Sequence, residues 1–273
     1  MFDFIPFFLY NNSSDSTMKI SFLGTGGAVA SLERDNTAFL LEEAGYLILV
    51  DCPGAVVQKI KKVGYQPQDL KAIFITHIHP DHIYGLPSLI HSLMLEEMSL
   101  QLYGSPETIA FCARLLDLFN LREAKVKCRV DLKELSPEGK ISLSPSLTVM
   151  GFPMSHHVSS LSFLFLHQEK KRIVYSGDTP PDRTFFQRIQ GSDCLIHDCS
   201  APSRFFKLYP ELHRVHTDSL TLGQLAEEFE IKRLIPCHFF GEIQFDLQEI
   251  IQEIKASYRS ELIVPEDFFS LIV

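Results

Sequence analysis

No two cysteines stand in C-x-x-C spacing; the six are scattered, at 52, 112, 128, 194, 199 and 237. That excludes a thiolate tetrad for a structural zinc ion. In a chain of 273 residues a disulfide framework is not needed either, so reduced thiols and a cytoplasmic setting are expected. Long apolar runs are missing as well. Residues 1–10 are apolar, but the stretch is short and no Lys or Arg precedes Lys19. Neither a spanning helix nor a secretory signal fits it, and a single short stretch would touch a membrane only weakly. Positive charge is scarce: 25 Lys and Arg against 34 Asp and Glu leave a net charge of −9. This gives no global attraction to nucleic acid or anionic lipid, although a local basic patch remains compatible with it. There is no internal repeat and no low-complexity tract. Gly24-Thr-Gly-Gly27 lacks the glycine spacing and following helix of a dinucleotide fingerprint, and is expected to form a tight turn beside an active site.

What remains is a soluble-globular composition, 45% hydrophobic and 22% charged, long enough for one large core. Residues 11–17 are a polar linker, so residues 1–17 are expected to be a tail and 18–273 one domain. The dominant feature is Phe74-Ile-Thr-His-Ile-His-Pro-Asp-His-Ile-Tyr-Gly-Leu-Pro87. Its six central positions carry His77, His79, Asp81 and His82, after an apolar run at 72–76 that reads as a short buried strand. In extended chain, residues 77 and 79 point the same way. Pro80 keeps His79 extended, after which the chain can turn and present Asp81 and His82 in a new direction. One segment can thus offer two ligand pairs to two neighbouring metal ions.

Strand and helix patterns alternate along the chain, which predicts a layered α/β fold. Strands are expected at 19–23, 37–41, 46–50, 72–76, 100–103, near 126–132, and at 147–152, 160–166, 172–175, 194–197 and 233–236. Helices are expected at 55–63, 87–98, 106–119, 182–189, 220–229 and 247–256, with residues 201–219 as a long connection. His91 falls inside a helix and reads as packed or surface-exposed. Asp51, His77, His79, His156, Asp178 and His238 each follow directly on a predicted strand. Residues at strand carboxyl ends converge in such folds however far apart they lie in sequence. For Asp51, helix capping and orientation of a ligand are both open. The nitrogen and oxygen donors suit a dinuclear site with an open position for water, and suit zinc, manganese or iron.

His77-x-His79-x-Asp81-His82 with His156, Asp178 and His238 resembles the metallo-β-lactamase fold superfamily over residues 19–240. The resemblance implies a four-layer αββα sandwich and two divalent metal ions, zinc first, with manganese or iron as alternatives. It implies His77, His79 and His156 on the first ion, Asp81, His82 and His238 on the second, and Asp178 bridging. Asp178 stands where zinc β-lactamases carry cysteine, so antibiotic hydrolysis is not expected. Phe22-Leu-Gly-Thr-Gly, Gly85-Leu-Pro87, Ser176-Gly-Asp-Thr179 and His216 resemble ribonuclease Z, whose proton-donating histidine matches His216. That family's long tRNA-gripping arm corresponds here to only the 21 residues between His156 and Asp178, enough for two strands and a turn. Asp198-Cys-Ser-Ala-Pro202 and His216-Thr-Asp218 resemble the cyclic-phosphate diesterase that accompanies the carbon–phosphorus lyase.

These resemblances imply a ribonuclease Z-like phosphodiesterase in which a metal-bridging hydroxide attacks phosphorus. Asp81 would accept the proton, His216 would protonate the leaving alkoxide, and Asp51 would fix a ligand histidine's tautomer. The expected partners are a phosphodiester substrate (a small diester, a cyclic nucleotide or an RNA 3′ end) and a second copy of the chain; no stable membrane partner is expected. A true tRNA 3′-processing endonuclease is the alternative, then a thioester hydrolase or a non-hydrolytic redox or metal protein. Arg204, Lys207 and Arg214 are bases near the site in sequence, with a solvated loop as their plainer role. Phe239 and Phe240, right after His238, could stack a base or ring, with the core as their commoner place.

Overall fold

A computed structural model describes residues 17–157 and 159–273; the expected tail lies almost wholly outside them. The first half runs β1 (Met18–Gly24), β2 (Ala38–Glu43), β3 (Tyr46–Val50), α1 (Val56–Lys62), β4 (Leu70–Phe74), α2 (Pro80–Ile83), α3 (Leu86–Ser92), β5 (Ser99–Gly104), α4 (Pro106–Leu118) and β6 (Arg129–Glu134). The second half runs β7 (Lys140–Ser142), β8 (Leu147–Met154), β9 (Ser160–His167), β10 (Lys171–Tyr175), α5 (Arg183–Arg188), β11 (Cys194–Asp198), α6 (Ser203–Leu208), α7 (Ser219–Glu228), β12 (Arg233–Cys237), α8 (Leu247–Ser257) and β13 (Glu261–Leu262). β14 (Ser270–Ile272) then returns to pair antiparallel with β1. The sheets are ordered β14-β1-β2-β3-β4-β5-β6 and β13-β12-β11-β10-β9-β8-β7.

Period-two alternation explains the layering. Ala72 and Phe74 face the other sheet, where they join Phe22, Phe39, Phe163, Phe165 and Tyr175. Ile73 and Ile75 face the opposite way, onto α1, α3 and α4 through Ile60, Leu89, Ile90 and Cys112. Both faces of β4 are therefore buried, which is why it reads as an unbroken apolar run. On the far side, Val174, Leu195 and Leu234 pack under α5, α7 and α8 through Phe186, Leu222 and Ile254. The result is the αββα sandwich. Each fully buried phenylalanine in the middle layer contributes roughly 1.5–3 kcal/mol, and truncating one such as Phe163 to Ala would cost about 3–5 kcal/mol.

Strands β3 to β6 are parallel, as are β10 to β13, so the carboxyl ends in each sheet share one edge. Several expectations shift. The helix expected at 87–98 stops at Ser92. The 201–219 connection is not a plain loop: it holds α6 and a 3-10 turn at Pro210–Arg214. The short strands β7, β13 and β14 carry too few alternating residues to stand out in sequence. Among the described residues no helix is long and apolar enough to cross a membrane.

Candidate metal centre

β4 hands the chain to the site in an extended conformation, and His79 keeps it with φ −63° and ψ 147°. Pro80 then opens α2, which turns Asp81 and His82 away from His77 and His79. Gly85 allows the next bend. A Cβ there would lie 1.9 Å from the Pro53 carbonyl oxygen, and the Gly85 amide donates to Cys52 O at 2.9 Å. The glycine of Gly85-Leu-Pro87 thus lets the motif close onto the turn after β3. Asp51 and His238, one residue beyond β3 and β12, have φ of +57° and +63°. Left-handed backbone is uncommon outside glycine and costs roughly 1–2 kcal/mol. At both positions it takes the side chain out of the strand's path.

Three groups of donors converge among the described residues; Asp198, His216 and His238 form the smallest, and two larger sets meet beside it. His77, His79, His156 and Asp178 form one, and Asp81, His82, Asp178 and His238 the other, with all donor atoms in each set within 4.8 Å of one another. In the first, His77 Nε2 and His156 Nε2 lie 2.9 and 3.2 Å from His79 Nδ1, and 3.9 and 3.6 Å from Asp178 Oδ2. In the second, His82 Nε2 lies 3.2 Å from Asp81 Oδ2 and 3.4 Å from Asp178 Oδ1. His238 Nε2 lies 3.5 Å from Asp81 Oδ2 and 3.1 Å from Asp178 Oδ2. Asp178 is the member common to both.

Inward-facing nitrogens are set from behind. His82 Nδ1 is 2.8 Å from Asp51 Oδ2, and His156 Nδ1 donates to Val215 O at 2.7 Å. Asp51 caps no helix. It accepts from the Thr76 amide at 2.8 Å and from the Tyr175 hydroxyl at 3.1 Å, so its carboxylate is held fully buried against the ring it orients. Asp198, which ends β11 as Asp51 follows β3, has no site role assigned from the sequence, although it opens the Asp198-Cys-Ser-Ala-Pro202 resemblance. Its Oδ2 lies 2.9 Å from His216 Nδ1, and its Oδ1 accepts from Ser200 Oγ at 2.6 Å. The His216 ring centroid is 5.0 Å from that of His156 and 5.3 Å from that of His238. The available signal was positional: an aspartate at another strand's carboxyl end.

Buried polar atoms are normally paired. His82 Nε2, Asp178 Oδ1 and His238 Nε2 are buried and have no hydrogen-bond partner, and all three belong to the second set. A divalent cation would satisfy these lone pairs, and the imidazole and carboxylate donors fit one in each set. Burial, reinforced by the charge of His82, holds His77 well below the ordinary histidine range. Burial opposes charge on His238 too, but Asp178 and Asp81 outweigh it and raise His238 to about 10. Asp178 goes the other way: burial alone would raise its pKa, and His238 and His82 pull it well below the usual carboxylate value.

The remaining candidates lie elsewhere. His91 is exposed on α3. Arg204 pairs with Glu249 at 2.7 Å, and Lys207 is exposed. Phe239 is core at 3% exposure; Phe240 is only half-buried and stands at the edge of the site, because the chain leaves β12 just before it.

Residues 18–246 match the family described as Anti-Pycsar protein Apyc1. A ribonuclease Z from Methanococcus maripaludis (strain C7 / ATCC BAA-1331) is 31% identical over 308 aligned residues, covering 92% of this chain and 97% of that protein. Among solved structures, the metallo-β-lactamase fold protein YhfI from Bacillus subtilis superposes with a TM-score of 0.80 at 20% identity, over 95% of this chain and 100% of that one. A diphosphatase from the PhnP family superposes at 0.71 and 16% identity, over 94% and 97%. The two superpositions show the shared fold; the family match and the ribonuclease Z relative show descent. The chain belongs to the anti-Pycsar protein Apyc1 family, and is a metal-dependent, ribonuclease Z-like hydrolase of the metallo-β-lactamase fold.

Proposed function

We propose that this hydrolase is a phosphodiesterase acting on a small phosphodiester, such as a cyclic nucleotide. The observation that carries the reading is the meeting of two donor sets on Asp178, with the His216–Asp198 pair beside them. His77, His79 and His156 would hold one divalent ion, zinc first among the candidates, and Asp81, His82 and His238 a second, with Asp178 between them. Such a pair would polarise a phosphoryl oxygen and bring the pKa of bound water to ~7. Asp81, a candidate ligand beside the attacking water, would accept its proton. His216 passes a proton from Nε2 to the leaving oxygen, while Asp198 holds Nδ1 and keeps the ring in place. Asp51 fixes His82 in the same manner.

The β9–β10 hairpin favours a small substrate. Its strands are joined by residues 168–170 alone, where a tRNA-gripping arm would need far more chain. The 31% identical ribonuclease Z favours a second reading, cleavage of precursor tRNA after the discriminator base. Metal-loaded protein offered small diesters, cyclic nucleotides, precursor tRNA, a thioester and a lactam separates the possibilities. Turnover of the small diesters and cyclic nucleotides is expected. Cleavage of precursor tRNA alone would transfer the assignment to the second reading, and turnover of the thioester alone would overturn both.

A further inference from the structure

Beside the metal centre, the 30–34 segment and residues 239–241 and 243–247 line a cleft of about 970 Å³, a volume within the range of small-ligand sites. Phe240 is the wall of this cleft that also touches the site. Its ring and that of His216 form a T-shaped pair, with centroids 5.1 Å apart at 88°, and it lies 6.4 Å from the His238 ring. The backbone around it is tied on both sides: Gly27 N donates to Phe239 O at 2.7 Å and Phe240 N to Ser200 O at 2.8 Å. A Cβ on Gly27 would stand 3.3 Å from Phe240 Cδ1, so the glycine leaves the ring its place. Phe239 does not share this exposure. It is buried, with the Arg34 guanidinium 4.8 Å from its ring centroid.

We propose that Phe240 is a specificity-determining residue, a platform on which the nucleobase of a nucleoside phosphodiester stacks inside this cleft while the phosphorus lies at the metal centre. A half-buried aromatic ring held rigidly one ring's distance from a candidate ligand and from the proposed proton donor offers a flat apolar face where the sugar and base must go. Stacking on such a face is worth ~1–3 kcal/mol per base. The inference rests on the phosphodiesterase reading, and the shared chemistry is the nucleoside, whether of a cyclic nucleotide or of an RNA end.

The test compares metal-loaded wild type, Phe240→Ala and Phe240→Tyr on two esters with the same leaving group, thymidine 5′-(4-nitrophenyl phosphate) and methyl 4-nitrophenyl phosphate. The loss of kcat/KM in Phe240→Ala should be about 5- to 150-fold greater for the nucleoside ester than for the methyl ester, chiefly through KM, and Phe240→Tyr should restore it. Equal losses on both esters would mean that Phe240 acts only through His216 and would overturn the platform. Running 3′,5′-cyclic uridine monophosphate and a uridine trinucleotide in parallel assigns the source, since the true substrate loses by the larger factor; an equal, small loss on both overturns the proposal. If wild type cleaves neither ester, the phosphodiesterase reading fails, and calorimetry with uridine 5′-monophosphate decides the platform separately. Binding at least about fivefold weaker to Phe240→Ala than to wild type upholds it, and equal affinity removes it.

Discussion

The two donor sets share Asp178 but have opposite surroundings. In the first, His79 and His156 are half-buried, and in the second every member is buried. Burial and neighbouring histidines hold His77 and His79 below their ordinary range, and burial prevails over Asp178 at His156. In the second set burial again opposes charge, yet Asp178, Asp51 and Asp81 keep His82 well above that range, and His238 reaches about 10. A cation can therefore enter the first set without expelling a proton from its histidines. At the second set it competes with protons. The ligand types are alike; the number of carboxylates behind them makes the difference.

The shared carboxylate is the strongest place to break this pairing. Asp178→Ala should abolish hydrolysis of an aryl phosphodiester and reduce bound metal from about two ions per chain, read by elemental analysis. Unchanged metal and activity would mean that the sets do not depend on one another. His216→Ala leaves both sets whole and should slow alkyl esters by ~10²–10⁴, with much smaller losses on nitrophenyl esters, whose leaving group needs no proton. Equal losses on both classes would remove the acid role.

Acidity sharpens the contrast between the sets. His82 and His238 carry raised pKa values and must lose a proton to ligate, so second-set affinity should rise with pH, about tenfold per unit for each proton released, between pH 6 and 8. First-set affinity should change much less over that window, where its depressed histidines are already neutral. Metal titrations at the two pH values measure both; parallel slopes would contradict the contrast. Asp51→Asn touches only His82 among the ligands. It should weaken the second ion by ~10–100-fold and spare the first, and equal weakening of both would remove its orienting role.

A similar asymmetry governs what could be read from the sequence. His77, His79, Asp81 and His82 fall within six residues, because one strand end and one proline-opened turn deliver them all. The second sheet gives single residues from the ends of β8, β10, β11 and β12 and from the segment before α7. Their common position after a strand was visible for His156, Asp178 and His238. Asp198 stands at the same kind of strand end, but the sequence around it shows only a family likeness and not its pairing with His216, 18 residues away. Near-continuous apolar runs make β3 and β4 legible, and apolar residues at helical spacing make α4 so. The edge strands β7, β13 and β14, two or three residues long, owe their existence to neighbours that local sequence does not name. For Phe239 and Phe240 the sequence leaves both core packing and base stacking open, because adjacent residues of one apolar pair give no sign of which stands nearer the site.

Anomalous X-ray scattering from crystals of the metal-loaded protein tests the shared centre most directly. Two peaks are expected, one against His77, His79 and His156 and one against Asp81, His82 and His238, with the Asp178 carboxylate between them. A single peak, or two peaks with Asp178 bound to neither, would contradict it.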